Sequence, residues 1–154
     1  MVARHDPTST VSVPHTRSSV GVARHAFADE LLASGVGRPV LEDAVLVLSE
    51  LLSNAIKHAA PLPGGSITIR WEIRPECLHL EITDGGALTR PHAGAAAASA
   101  IGGRGLDIVR TVCSQWGVTE GEKSVTVWAD LRRDAVTTVP RSLQAMASMQ
   151  RAHH

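Results

Sequence analysis

The sequence predicts an α+β fold, with helices on one face of a mixed, mostly antiparallel sheet. Three observations predict it. Residues 67–73 alternate, with Ile67, Ile69, Trp71 and Ile73 on one side and Thr68, Arg70, Glu72 and Arg74 on the other. After a turn at Pro75-Glu76, Leu78, Leu80 and Ile82 repeat that pattern. Residues 40–60 instead carry Leu41, Val45, Leu48, Leu52, Ala55 and Ala59 at helical spacing. Strands and helices then succeed one another without strict βαβ units, which suits one helical layer on a single sheet.

In chain order, residues 1–8 are expected to be disordered, and residues 10–13 form a short first strand. A helix over 19–34 presents Val20, Ala23, Phe27 and Leu31 at core spacing and breaks at Gly35-Val36-Gly37-Arg38-Pro39. The helix over 40–60, a loop over 61–65 and the two alternating strands follow. The second strand runs into Thr83-Asp84-Gly85-Gly86, and residues 87–100 read as a loop with Pro91, Gly94 and an Ala run. Gly102-Gly103-Arg104-Gly105-Leu106 opens a helix over 105–115, with Leu106, Val109, Val112, Cys113 and Trp116 at apolar spacing. Strands over 117–119 and 124–132 close a single domain spanning 9–133, and residues 134–154 form a polar tail or short terminal helix.

Composition excludes several classes of function. The 154 residues have a formal net charge of zero, so no global field favours nucleic acid. The longest apolar stretches are far too short to span a bilayer, and Arg4, His5 and Asp6 stand where a signal peptide would need apolar residues. A cytoplasmic protein is expected, in contact with neither nucleic acid nor membrane. Cys77 and Cys113 are expected to be buried free thiols rather than a disulfide. The histidines show no H-x-x-x-H spacing on one helix, which argues against zinc. Gly121-Glu122-Lys123-Ser124 lacks the P-loop spacing and reads as a hairpin between strands.

The chemistry concentrates in the helix over 40–60. At about 100° per residue, Glu50, Asn54 and Lys57 fall within roughly 60° of one another, opposite the apolar side. A solvated face would gain little from Asn, a poor helix former. Glycines ahead of the next helix expose backbone N–H groups at its positive end, which suits an anion such as phosphate.

Taken together and in this order, these pieces resemble the GHKL ATPase superfamily, the group with gyrase, Hsp90, histidine kinase and MutL type ATP sites. Glu50-x-x-x-Asn54 resembles its N box, Thr83-Asp84-Gly85-Gly86 its first glycine box, and Gly103-Arg104-Gly105-Leu106 its second. Thr126, in Val125-Thr126-Val127-Trp128, matches a threonine that the family places on a late strand beneath the adenine. The resemblance covers roughly residues 8–133. It implies a Bergerat-type two-layer sandwich with ATP and Mg2+ as ligands.

The resemblance also assigns roles. Asn54 matches the magnesium ligand, Glu50 the general base, and Asp84 the carboxylate that recognises the adenine amine. Gly86 lets the chain pass close to the purine, while Gly103 and Gly105 turn backbone amides toward the phosphates. Lys57 and Arg104 face either a phosphate oxygen or solvent, and Leu106 completes the second box. His58 takes a rim or structural role, and residues 87–101 form a lid over nucleotide. One departure stands out: the first box ordinarily reads D-x-G-x-G, and Leu88 occupies its last position.

Among the superfamily, these 154 residues look like the stand-alone anti-sigma factor serine/threonine kinases of actinomycetes. Such proteins transfer the ATP γ-phosphoryl to a Ser or Thr of an antagonist (anti-anti-sigma-like) protein, and many sequester a sigma factor. The resemblance implies a homodimer. The alternatives are an ATP-dependent protein-binding switch without kinase activity and a nucleotide-free interaction domain on the same fold.

Overall fold

The computed structural model describes residues 8–86 and 104–133. Five strands form one sheet: β1 (Thr8–Pro14), β2 (Ser66–Ile73), β3 (Cys77–Asp84), β4 (Gln115–Glu120) and β5 (Val125–Arg132). Their order is β1-β2-β3-β5-β4. Among the described residues, three helices cover one side: α1 (Ser18–Ala33), α2 (Arg38–His58) and α3 (Arg104–Val112). The sheet expected to be mostly antiparallel is so throughout, since every pairing among the described strands is antiparallel.

The alternation in the strands is what makes the two-layer structure possible. Ile67, Ile69, Trp71 and Ile73 of β2 are buried beneath the helices, and so are Leu78, Leu80 and Ile82 of β3 and Val127, Ala129 and Leu131 of β5. Phe27 and Leu31 of α1 meet them from above, with Phe27 and Trp71 rings tilted at 59° and 5.0 Å apart. The opposite face of the sheet is polar. There Arg70 pairs with Glu81 at 2.6 Å, and His79 Nδ1 lies 2.6 Å from Asp130 Oδ1. A partly exposed ion pair such as Arg70–Glu81 contributes about 0–1 kcal/mol, so the apolar face carries the stability.

Helix α2 buries more of its circumference than one stripe. Leu48, Leu52, Ala55 and Ala59 are buried as expected, but Ala44, Val47 and Leu51 join them while Leu41 and Val45 stay half-buried. The reason is that α2 packs against α1, α3 and the sheet together. Pro39 sits in its first turn, where the missing N–H costs nothing, and Lys57 and His58 close its last turn at the negative end of the dipole.

Trp116 is displaced from the helix that its spacing suggested. Helix α3 ends at Val112, and Trp116 lies half-buried in β4 opposite Ala129. The Ser114 N–H and hydroxyl both donate to Asp130 O, at 2.8 and 3.1 Å, and draw the chain onto the sheet edge. Strand pairing therefore overrides a helical period that continued by chance. The β4–β5 turn is closed by Gly121 N–H donating to Ser124 O at 2.8 Å, the hairpin expected for Gly121–Ser124.

Both cysteines are free and half-buried. Burial, reinforced by Asp130 and Asp43, pushes the Cys113 thiol up to about 12, which leaves it unreactive. Gly21 is exposed within α1, and a methyl group there would meet nothing within 4 Å. Gly21→Ala is expected to raise stability by about 0.5–1 kcal/mol by lowering backbone freedom in the unfolded chain, measurable as a higher urea midpoint at constant slope.

Candidate functional site

The end of α2 and the end of β3 are stitched together by their backbones. Ala60 N–H donates to Gly86 O at 2.8 Å, and Gly85 N–H donates to Ala60 O at 2.8 Å. The residue two places past α2 and the Asp84-Gly85-Gly86 box, far apart in sequence, are thereby held side by side, and α2 itself packs against β3. The close approach requires Gly85, since a Cβ there would lie 2.1 Å from the Pro61 carbonyl oxygen. Gly86 has φ +95°, the left-handed region that glycine adopts without strain. The variable position of the box is thus as constrained as its glycine.

Asp84 follows from the strand period. It continues the inward series Leu78, Leu80, Ile82, so it points to the helical side and is only 4% exposed. One oxygen accepts the Gly86 N–H at 2.7 Å. Burial pushes this carboxyl up from 3.8 to about 6, against the opposing pulls of the Gly86 N–H and the charge of His15. A carboxylate so enclosed has acceptor capacity left for a donor that enters the site.

Asn54 supplies the second feature. Its Nδ2 is buried and has no hydrogen-bond partner. As placed the orphaned atom is the nitrogen, a donor, and a flip of the carboxamide puts the oxygen, an acceptor, in its position. An unsatisfied buried group of this kind costs about 1–3 kcal/mol, a cost that a ligand can relieve. Glu50 is half-buried one turn earlier on the same side. Lys57 is exposed, and with Arg17, Val20, Ser53 and Ile56 it lines a cavity of about 370 Å³ on the α1 side of α2. His58 is exposed at the helix end, as a rim residue would be.

Thr126 does not join Asp84. In the β3–β5 register Thr126 pairs with Thr83, and their hydroxyls are 2.7 Å apart on the open face of the sheet. Asp84 pairs with Val125, which is therefore the β5 residue on the helical side. A single step along a strand reverses the face, so the threonine expected beneath the adenine lies on the far side of the sheet. Arg104, Gly105 and Leu106 begin α3, which packs against α2. Gly103 and the 87–101 segment expected to form the lid lie outside the described residues.

Sequence reasoning missed His15 and the necessity of Gly85. His15 Nε2 lies 2.8 Å from Ala59 O and 3.3 Å from Ala55 O. Carbonyls only accept, so this nitrogen carries the hydrogen. Nothing in Val13-Pro14-His15-Thr16 signals a contact with residues 40 and 44 positions away. For Gly85 a signal existed, the doubled glycine, but its cause is a carbonyl brought in by the fold.

No helix of the described residues is long and apolar enough to cross a membrane. Among those residues, no group of three or more His, Cys, Asp or Glu side chains is arranged to hold a metal ion. A magnesium ion in this site would therefore rest on a carboxamide and on its nucleotide, which is the kind of partial protein coordination that Mg2+ accepts. The buried Asn54 amide fits that role.

Comparison with known proteins agrees with this geometry. The chain is similar in fold to the crystal structure of the RsbU and RsbW domains of Rv1364c from Mycobacterium tuberculosis, with a TM-score of 0.63 and 17% sequence identity. That similarity covers 84% of this chain and 34% of the other, so the protein spans about a third of its length. No curated protein matches the sequence. The histidine kinase-like ATPase domain matches residues 13–130, from the end of β1 through nearly all of β5. With the boxes, the buried carboxylate and the antiparallel two-layer fold in place, the chain belongs to the histidine kinase-like ATPase family.

Proposed function

We propose that this protein is an ATP-binding regulator that transfers the γ-phosphoryl group to a Ser or Thr of an antagonist protein. The observation that carries the nucleotide reading is Asp84, a nearly enclosed carboxylate at a strand end whose one hydrogen-bond donor among the described residues is the Gly86 N–H. An adenine exocyclic amine is a donor suited to it. Guanine presents a carbonyl at that position, and the resulting acceptor–acceptor clash costs about 1–3 kcal/mol, enough to select ATP over GTP by roughly five- to 150-fold.

Bound Mg2+ would neutralise phosphate charge and hold the γ-phosphoryl in line. Asn54 would hold that ion through its carboxamide oxygen, and the amides at the start of α3, with Gly103, Arg104, Gly105 and Leu106, would face the phosphates. Glu50 would accept the proton of the attacking hydroxyl as its oxygen bonds to phosphorus and the bond to the departing ADP breaks. Lys57 would neutralise a phosphate oxygen from the rim. An anti-sigma type of regulator, acting as a homodimer on an antagonist and on a sigma factor, is what the resemblance of its boxes to the stand-alone anti-sigma kinases implies, and the likeness to an RsbW domain is one of fold.

Two variants test the chemistry. Asn54→Ala is expected to lose magnesium-dependent ATP binding, by at least tenfold in calorimetric titration, without a fall in melting temperature, because the change removes an unsatisfied buried amide. Unchanged magnesium dependence would remove the ligand role. Glu50→Ala is expected to bind ATP normally while phosphate transfer falls by roughly two orders of magnitude or more, read with γ-labelled ATP and an antagonist. Full transfer by that variant would eliminate the base.

A further inference from the structure

His15 lies in the connection between β1 and α1, and its backbone N–H is fixed to Gly65 O at 3.1 Å. Its side chain crosses to the far end of α2 and donates to the Ala59 carbonyl at 2.8 Å. That carbonyl stands just past the last helical turn, where the helix supplies no donor of its own. Ala59 C=O and Ala60 N–H belong to one peptide group, and this N–H is the one that donates to Gly86 O. His15 and Gly86 therefore grip the two ends of the same peptide, and the Ala60 carbonyl in turn receives the Gly85 N–H. Hydrogen bonds in such a chain polarise one another and reinforce a single geometry.

We propose that His15 is a positioning residue for Asp84, clamping the Ala59–Ala60 peptide so that Gly85, Gly86 and the carboxylate stand in place before a ligand arrives. Its effect on binding rests on the nucleotide reading above; its effect on backbone geometry does not. Preorganisation of this kind needs a support whose own orientation is fixed, and His15 is held at both its backbone and its ring. The ring also brings a charge to the carboxylate. Among the described residues, His15 is the one charged side chain that acts on Asp84. Lys57 and His58 in the last turn of α2 are exposed to solvent, and β5 sets Val125 opposite Asp84.

The test compares the full-length wild type with His15→Ala and His15→Gln. Gln places an amide donor where Nε2 now lies, without the charge. Magnesium-ATP and magnesium-GTP are titrated calorimetrically from pH 5.5 to 8, and amide hydrogen exchange is followed at Ala60 and Gly85. In the Ala variant ATP affinity at pH 7.5 is expected to fall roughly tenfold, the loss of one buried hydrogen bond, with a smaller preference for ATP over GTP. The Ala60 and Gly85 amides should exchange faster. The Gln variant should restore exchange and affinity at pH 7.5, while its loss of ATP affinity on acidification begins at higher pH, because the lowering influence of His15 on the Asp84 carboxyl is gone. A purely structural role would not shift that acid limb.

Wild-type affinity and exchange in a folded Ala variant would overturn the proposal. Should the Ala variant fail to fold, an acid limb in the Gln variant identical to wild type would overturn it instead. A wild type that binds no ATP would defeat the nucleotide reading alone. The exchange rates of Ala60 and Gly85 would then decide the positioning role.

Discussion

Asp84→Asn is expected to abolish selective ATP binding and, in the nucleotide-free protein, to flatten the dependence of stability on pH. The carboxyl rises from 3.8 to about 6 in the folded state because burial penalises its charge. A group raised in this way contributes fully below the unfolded value and loses its contribution as pH rises through the folded value. Wild-type stability should therefore decline between about pH 4 and pH 6.5, by an amount on the order of 3 kcal/mol for a shift of about two units. Asn keeps an oxygen for the Gly86 N–H but titrates nowhere in this range. It also buries an amide without a partner, which offsets part of the gain, so a net rise of about 1 kcal/mol at pH 7.5 is expected. Urea midpoints of both proteins at pH 4, 5.5 and 7.5 provide the measurement. Parallel pH profiles would mean that Asp84 is not held as a strained carboxylate.

The same residue sets the pH dependence of binding. An amine donor favours the ionised form, so ATP affinity should fall as the solution is acidified through about pH 6. The site thus stores an unfavourable burial in the apo protein that the nucleotide relieves. Stability and function oppose each other at one side chain, as is common where a site must offer unmet hydrogen-bonding capacity.

Gly85→Ala is expected to be the most destabilising of the substitutions considered. The new Cβ would lie 2.1 Å from Pro61 O and 2.8 Å from Pro61 C, and backbone atoms yield less readily than a side-chain tip. Relief requires separating residue 85 from Ala60, which breaks the two bonds at 2.8 Å that join α2 to the glycine box. Two lost backbone bonds, at about 1 kcal/mol each, together with overpacking of 1–3 kcal/mol, give a cost of about 3–5 kcal/mol. The measurement is the urea midpoint beside that of Gly21→Ala, whose methyl meets open space. Equal and opposite shifts of similar small size would show that the close approach is not maintained in solution.

Much of this site was legible because its signals are local. Asp84 ends a run of strict alternation, so its inward direction follows from Leu78, Leu80 and Ile82 without knowledge of any neighbour. Asn54 and Glu50 share a helix face by spacing alone. Thr126 was not legible in the same way. Its face depends on whether it opposes Thr83 or Asp84, a question of register between strands more than forty residues apart. Trp116 fitted a helical period equally well, and only the pull of Asp130 O on Ser114 assigned it to β4.

By itself the sequence determined the alternating strands, the amphipathic helix over most of 38–58, the order of the boxes and the inward carboxylate. All of these are periodicities or short motifs, written within a few turns of chain. The tertiary structure decided which face Thr126 occupies, why position 85 admits no side chain, and that His15 reaches the end of α2. Those are contacts between segments distant in sequence, where an ångström of approach or one step of register sets the outcome. No local pattern encodes such distances, because they arise only when the layers pack.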